Sequence, residues 1–385
     1  MLIASVGVIA GLVWATAYVR PGKSDSTADP PGARDKPLHQ DKRAVSARER
    51  ADAIARAHVW RTPTIPIARA ALAGVPAPSQ IECRFKITDL DGTTPKFHCL
   101  LDSGKVIRTK YGNVPEIPAE AAATRLLNAL GFGSDTVTLV ERLRCHGCPK
   151  APFHTTKVAD ATGTEALLER VVDADRVEDF EWAAIEHKFE ARPIESGDQK
   201  GWGFFELDAI DPSRGGAPRA HVDALRLMAV FLAHWDNKSE NQRLVCLSKT
   251  WPEGRPCQQP FLLLQDVGAT FGPRKVDLDA WEKSPVWSDR AACALSMEAL
   301  PYGGGTFNAT RVSEAGRQFI VHLLTQLDDA QIEDLFSGAR FHLHRGGSLP
   351  VRLSGGSAPR PLSEWVRVFR LRQKQISDGP ACPGA

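Results

Sequence analysis

The stretch from Ala233 to Gly272, with the helical pattern that leads into it, most restricts what this chain can fold into, because several distinct patterns follow one another there. The apolar helical pattern of Ala220–His234 is followed by the polar run His234–Asn241. A loop with two prolines and a glycine comes next, and then the apolar run Phe261–Leu264 leads directly into Gln265–Gly268. These patterns predict a helix, a polar loop, a hairpin and a glycine turn, in that order.

The polar residues of this stretch suit phosphoryl transfer. Asp236 precedes the amide of Asn241 by five residues, and Asp266 follows the second strand and stands just before a glycine. One carboxylate can orient or deprotonate an acceptor hydroxyl, while the amide and the other carboxylate offer hard oxygen ligands to magnesium. Each motif alone also fits an ordinary turn, so the prediction depends on their occurring together and in this order.

The run Asp236–Asn241 resembles the D-x-x-x-x-N catalytic loop of the atypical kinases, which include the phosphatidylinositol kinases, the HipA-type kinases and the secretory-pathway kinases of the Golgi casein kinase family. The run FLLLQDVGATFG is similar to the metal-binding D-x-G segment of the last group. The resemblance covers about residues 92–340. It implies an ATP-dependent phosphotransferase with an α+β, two-lobed protein-kinase-like fold. The chain would be a bacterial-type, membrane-anchored member of this group. The N-lobe would be small and β-rich with one helix, and the C-lobe mostly helical.

The predicted helix Pro118–Phe132 carries a second part of the resemblance. Its sequence is similar to the E-x-A-A-x-x-L-x-x-x-L-G-F helix of the secretory and HipA-like kinases. By that resemblance Lys110 contacts the α- and β-phosphates of ATP, and Glu120 pairs with Lys110 or with the metal. From the residues alone, Glu116 and Lys96 are rival candidates, and a glutamate in a first helical turn favours the helix dipole in any case.

The resemblance also assigns roles within the catalytic loop. Asp236 would position or deprotonate the acceptor hydroxyl, while Asn241 and Asp266 would hold Mg²⁺ or Mn²⁺. Where related kinases have Asp-Arg-His, this chain has Asn237 and Lys238 after the aspartate. Lys238 either replaces the missing cation near the γ-phosphate or is an ordinary exposed lysine. Because of this departure, a second interpretation stays open: a pseudokinase, which would be a nucleotide-binding module at the cell envelope that does not transfer phosphate.

Other segments predict the elements around these motifs. Period-two alternation predicts strands at Ile81–Ile87, Lys96–Leu101 and Val106–Lys110, with turns at Asp91-Gly92 and Ser103-Gly104. A further strand is predicted at 137–143, a strand or helix at 182–189, and helices at 46–60, 164–173, 313–327, 328–336 and 361–376.

The cysteines support a second alternative. Among the eight cysteines, Cys145 and Cys148 form a C-x-x-C, which is either a redox pair or half of a zinc site. No second C-x-x-C or close histidine pair completes such a site. Cys246 and Cys257 flank the hairpin and can pair across it in an oxidising compartment. A thiol-based exported protein that acts through Cys145 and Cys148 is therefore also considered.

The N-terminal run Met1–Val19 has no charged side chain. As a helix it would span about 28 Å, close to one bilayer core, so we expect a transmembrane signal anchor; a cleaved signal peptide is the alternative. Arg20 and Lys23 favour a cytoplasmic body, whereas the cysteines favour export. We therefore expect a membrane-anchored protein whose domain is periplasmic or otherwise extracytoplasmic.

At 385 residues, with 43% hydrophobic and 24% charged residues, the chain is typical of a globular protein with one large or two ordinary domains. Its net charge of +2 gives no argument for nucleic acid. The expected partners are ATP, a membrane through the N-terminal segment, and a hydroxyl acceptor on a protein, sugar or lipid that the sequence does not identify. The predicted divisions are a signal anchor 1–20, a linker 21–44, a helical extension 45–75, an N-lobe 76–205, a C-lobe 206–376 and a tail 377–385.

Overall fold

The computed structural model describes residues 44–74, 78–164, 173, 175–197, 199–273, 275–296, 305–344 and 359–383 of this mixed α and β chain. The described residues belong to one compact unit. The described α-helices are α1 (Ala47–Ala55), α2 (Glu116–Leu130), α3 (Pro152–Thr162), α4 (Arg219–Leu232), α5 (Leu278–Lys283), α6 (Glu314–Thr325), α7 (Asp329–Gly338) and α8 (Leu362–Ser377). The strands are β1 (Gln80–Lys86), β2 (Lys96–Leu100), β3 (Val106–Lys110), β4 (Thr136–His146), β5 (Val177–His187), β6 (Arg192–Pro193), β7 (Gln242–Cys246), β8 (Pro260–Leu264), β9 (Trp287–Asp289) and β10 (Ala294–Leu295).

Strands β1 to β5 form a closed barrel in the order β1-β2-β3-β5-β4. Neighbours are antiparallel, except for the parallel β1–β4 pair that closes it. The first three strands lie where the alternation predicts them. The register places Lys96 directly opposite Lys110, so both lysines point to the same face of the sheet. The barrel has a core of its own, built from side chains that include Phe97, Cys99, Ile107, Val140 and Leu143.

Helix α2 follows the barrel's third strand and packs its alanine and leucine side chains into the main core, together with α4. It begins at Glu116 rather than Pro118, and it ends at Leu130. Gly131 then takes the left-handed φ of 92°, and its N–H bonds back to the carbonyls of Asn128 and Leu127. Glu116 and Glu120, four residues apart, therefore lie on one side of the helix.

The helix α4 predicted at 220–234 is buried almost throughout. It ends where Ala233 takes a left-handed φ of 52°, and the polar loop begins at the next residue. Strands β7 and β8 form the expected hairpin, and a disulfide joins Cys246 to Cys257 across it, as predicted. The short strand β6 extends this hairpin into a three-stranded sheet.

Arg372 of α8 fixes the C-terminal ends of two other helices. Its guanidinium is fully buried and donates four hydrogen bonds of 2.6–2.9 Å to backbone carbonyls. Two of these carbonyls end α4 and two belong to the end of α5: Val230, Phe231, Trp281 and Ser284. Because the last carbonyls of a helix lack the usual partner within it, this one side chain adds hydrogen bonds at both helix ends. The Phe231 carbonyl also accepts from Trp281 Nε1, and the Val230 carbonyl from the Ala233 N–H.

One helix of the structure was not predicted, α3, since its segment follows the C-x-x-C loop and begins with a proline. Most of the predicted helix 164–173 lies outside the described residues. The prediction of a transmembrane signal anchor is overturned. A span needs about 20 apolar residues, and no helix in the described ranges is long and apolar enough to cross a membrane. Residues 1–20, to which that prediction applied, lie outside those ranges.

Candidate active site

A polar cleft of about 970 Å³ lies between the β1–β2 turn and the polar loop that follows α4. Asp236, Lys238, Asn241 and Asp266 all line it. The two other predicted site residues, Lys110 and Glu120, lie deeper and are almost completely buried. The structure thus brings four of the six predicted residues to one surface and buries the other two.

Backbone hydrogen bonds hold the two predicted motifs together. The carbonyl of Asn241 accepts from the backbone N–H of Gln265 at 2.9 Å and of Asp266 at 3.0 Å. The side-chain Nδ2 of Asn241 donates to the carbonyl of Asp236 at 2.6 Å. With its nitrogen committed in this way, Asn241 keeps its amide oxygen for another partner. The polar loop and the D-x-G turn therefore form one rigid arrangement of oxygen atoms.

Asp236 has a carboxylate oxygen, Oδ1, that is buried and has no hydrogen-bond partner. Burial raises the pKa of Asp236, and the charge of Lys238 opposes that rise. Buried polar atoms without partners are rare, because leaving them unpaired is costly. Such an oxygen in a cleft fits a ligand that supplies a donor or a cation, and the neighbouring carboxylate and amide oxygens are of the type that Mg²⁺ and Mn²⁺ bind.

Lys110, at the end of β3, is enclosed by carboxylates. Its Nζ lies 2.7 Å from Glu120 of α2, 3.2 Å from Glu116 and 3.2 Å from Glu186 of β5. Burial alone lowers the pKa of Lys110, but Glu120 and the other surrounding carboxylates, with Asp266 among them, raise it well above the usual value. The lysine is therefore charged, and it fixes the position of α2 relative to the barrel.

Glu116 connects α2 to the segment that follows the D-x-G turn. It accepts a hydrogen bond of 2.6 Å from Lys275 as well as its contact with Lys110. Gly268 lies against it so closely that a Cβ at this glycine would be 2.3 Å from the Glu116 Cγ. The glycine of the D-x-G motif is therefore required for close approach of the two segments.

The unusual Asn237 holds the polar loop in place. Its Nδ2 donates to the carbonyl of His234, and its Oδ1 accepts from the backbone N–H groups of Thr306 and Phe307 at 2.7 and 3.2 Å. The Thr306 hydroxyl donates to the Asn237 carbonyl at 2.6 Å. An amide suits this position because it donates and accepts at once. Lys238, by contrast, is about one-third exposed and lies 4.0 Å from Glu240.

The cysteines of the C-x-x-C are disulfide-bonded to each other and fully buried. Cys83 and Cys99 form a second disulfide beside them, and the Cys99 and Cys145 sulfurs lie 3.7 Å apart. Although the sulfurs of Cys83, Cys99 and Cys145 lie within 4.8 Å of one another, a thiolate is the form that attacks or binds metal. Buried disulfides offer none, so this cluster gives no support to the thiol-protein alternative.

Two site residues were not predicted from the sequence. Lys275 follows the D-x-G turn in a segment without a periodic pattern, so nothing in the sequence places it beside Glu116. Glu186 lies directly opposite Arg108 in the β3–β5 register and within 3.4 Å of its guanidinium. Opposite charges on paired strands can indicate such a contact, but the sequence does not show that β3 pairs with β5.

Comparisons with known proteins give a distant likeness in structure. No protein-family model matches the sequence, and no curated protein is significantly similar to it. Among solved structures, the chain is similar to the crystal structure of a Helicobacter pylori proinflammatory kinase, CtkA, with a TM-score of 0.39 and 9% sequence identity. That likeness covers 77% of this chain and 94% of the other. It is too distant to establish a fold family or a function.

Proposed function

We propose that this chain is an ATP-dependent phosphotransferase with a kinase-like active site. The observation that carries the proposal is the 2.7 Å ion pair between Lys110, at the end of the third strand, and Glu120, on the following helix. Protein kinases need a strand lysine paired with a helix glutamate, a catalytic-loop aspartate and asparagine, and a D-x-G aspartate. Here all five residue types occur in that order along the chain. Asp236, Asn241 and Asp266 line one cleft, and the Lys110–Glu120 pair is buried.

The chemistry follows from positioning and electrostatics, which supply most of the catalysis in phosphoryl transfer. Asp236, with its raised pKa and unpaired oxygen, orients or deprotonates the acceptor hydroxyl. The Lys110–Glu120 pair orients the nucleotide. Asn241 and Asp266 would hold Mg²⁺ or Mn²⁺, which when bound neutralises charge on the phosphates.

The acceptor remains a hydroxyl on a protein, sugar or lipid. The four disulfides support an oxidising location for the enzyme, because such bonds are rare in proteins of reducing compartments. We therefore propose an extracytoplasmic enzyme. The division into two lobes stays a prediction.

A pseudokinase is the second candidate, and Asn237 is the observation that favours it. The hydrogen bonds of this side chain are all used to hold the loop, so the position contributes no cation. Among the described lysines, Lys238 has the largest electrostatic effect on Asp236, and Lys275 a smaller one. A pseudokinase would bind nucleotide and metal in the same cleft but would not transfer phosphate.

Nucleotide binding and turnover, measured in the same preparation, separate these candidates. We expect ATP with Mg²⁺ or Mn²⁺ to raise the melting temperature of the full chain, and Asp266→Asn to remove the metal-dependent part of that rise. Asp236→Asn should keep binding but lose ATP consumption and self-phosphorylation. Binding without turnover in the wild type, with candidate acceptors present, would identify a pseudokinase. The absence of metal-dependent nucleotide binding would falsify both.

A further inference from the structure

A second lysine, Lys96 of β2, lies in the cleft itself. The residue is 4% exposed, yet it contributes to the cleft lining together with the turn Asp91–Thr94. Its Nζ lies beneath that turn, 3.2 Å from where a Cβ on Gly92 would be. Of the two lysines that face each other across β2 and β3, it is therefore Lys96 that a ligand in the cleft can reach.

The charge of Lys96 is not balanced by an ion pair. Within the described ranges, the Lys96 ammonium neither donates a hydrogen bond nor pairs with a carboxylate. Lys110, by contrast, pairs with three carboxylates. Burial first, and then the positive charges of Arg108 and Lys110, lower the pKa of Lys96 to about 8, while Asp266 and Glu116 act in the opposite direction. A buried ammonium without a partner is unfavourable, and such groups are concentrated at functional sites.

The surroundings of Lys96 fit an anion that carries several oxygen atoms. Thr93 and Thr94 of the β1–β2 turn line the same cleft. Asp266, the proposed metal ligand, also lines it and acts electrostatically on Lys96. An anion bound in this cleft could contact the ammonium and a metal held by Asp266, as the β- and γ-phosphates of a nucleotide contact a lysine and their cation.

We propose that Lys96 is the residue that binds the β- and γ-phosphates of ATP, and that Lys110 acts as a positioning residue that holds α2 and the barrel in register. This inference rests on the proposed function. The inference assigns phosphate binding to Lys96 and the positioning of α2 to Lys110, whereas the family resemblance assigns the phosphate contact to Lys110.

The test compares Lys96→Met with the wild type in the full chain, using ATP, ADP and AMP with Mg²⁺ in titration calorimetry. A hydrogen bond to a charged group contributes enough that its loss should raise the Kd for ATP about 10- to 100-fold. The Kd for AMP, which lacks both outer phosphates, should change by less than about threefold. Lys96→Arg should restore ATP affinity in part, and Lys105→Met, at the exposed turn of the same hairpin, should have no effect.

A structural role for Lys96 gives a different result. It predicts equal losses for ATP and AMP and a lower melting temperature of the nucleotide-free Lys96→Met protein, and that outcome overturns the assignment. Our inference predicts instead that the nucleotide-free variant melts at a higher temperature, because a buried unpaired charge has been removed. Unchanged ATP affinity in Lys96→Met, beside a wild type that binds MgATP, overturns the role of Lys96 and leaves the proposed function standing.

If Lys96→Met does not fold, the wild type still provides a test. Its ATP affinity should fall as the pH rises through about 8, where the free protein loses the Lys96 proton. The groups that set this value are Arg108, Lys110, Asp266 and Glu116. An ATP affinity that stays constant between pH 7 and pH 9.5 contradicts the inference.

Discussion

Asp236 and Lys238 are two residues apart, and the pKa of the carboxylate depends on the ammonium. Burial raises the pKa of Asp236, and Lys238 is the strongest influence that lowers it. Replacing Lys238 with Met should therefore raise that pKa further. If Asp236 acts in its deprotonated form, the acid limb of the pH–rate profile will move to higher pH.

Rates of phosphate transfer or ATP hydrolysis between pH 4 and pH 8 measure this shift. Lys249→Met, an exposed lysine just beyond β7, is the matched control and should leave the profile unchanged. An acid limb that does not move in Lys238→Met would show that Lys238 is an ordinary surface lysine, which is the other interpretation of its sequence position.

At this scale, residues that the sequence grouped by motif lie together in the structure, while their roles stay predictions. Asp236, Asn241 and Asp266 were chosen for their chemistry and spacing, and all three line one cleft. Lys110 and Lys96 were both recognised as candidates, but the sequence could not separate them. Alternation along a strand indicates which face a side chain is on, whereas its ion-pair partners depend on how the following helix packs back and on β5, which is distant in the sequence.

The contact between the D-x-G turn and helix α2 leads to a prediction about two elements. Gly268→Ala would place a Cβ 2.3 Å from the Glu116 Cγ, so one of the two segments must shift. We expect lower stability, by about 1–3 kcal/mol as for other overpacking substitutions, and weaker binding of MgATP. Urea unfolding and nucleotide titration measure the two effects.

A double variant tests whether this contact is the cause. Glu116→Ala removes the obstructing Cγ, so Gly268→Ala should cost much less in the Glu116→Ala background than in the wild type. Strictly additive effects of the two substitutions would mean that Gly268→Ala acts through its own backbone and not through Glu116.

The elements themselves were largely predictable, because they have strong local signals. Strands β1 to β3, helix α2 with its glycine end, and the buried α4 all lie close to their predicted positions. The contact between α2 and the D-x-G turn was not predictable, since it joins segments about 150 residues apart. The contact of Lys275 with Glu116 was not predictable either, because only tertiary packing brings the two residues together.

For the molecule as a whole, two disulfides with very different sequence separations test how much each one stabilises the fold. Cys293–Cys382 spans 89 positions in sequence and Cys246–Cys257 spans 11. Loop-closure entropy in the unfolded chain predicts losses of about 4.6 kcal/mol for the long bridge and about 2.8 kcal/mol for the short one. Paired Cys→Ser variants, compared by urea unfolding, measure both; a larger loss for the short bridge would contradict this entropic account.

The stability of the whole chain should also depend on mildly acidic pH. Burial lowers the pKa of His234 to about 4, although Asp266 opposes this. In the unfolded chain the same histidine takes up a proton near pH 6.5. Between these values the unfolded state binds more protons, so stability is lost as the pH falls from about 6.5 to about 4, by up to about 1.4 kcal/mol per unit.

Thermal unfolding from pH 7 to pH 4 measures this dependence, and His234→Gln should make it shallower. His98 and His344, whose pKa values burial also lowers to about 4, retain part of it in the variant. If the slope is identical in His234→Gln and the wild type, His234 does not contribute.

The four hydrogen bonds that Arg372 donates to the ends of α4 and α5 have a consequence for the order in which the protein can mature. The ribosome makes Asp236 and Asp266 long before it makes Arg372, yet this arginine donates to two of the carbonyls that end the helix leading to Asp236. A nascent chain, or a fragment cleaved between α7 and α8, therefore has both aspartates but lacks the Arg372 hydrogen bonds at the end of α4. We therefore expect the proposed phosphate transfer to begin only when the last helix has docked.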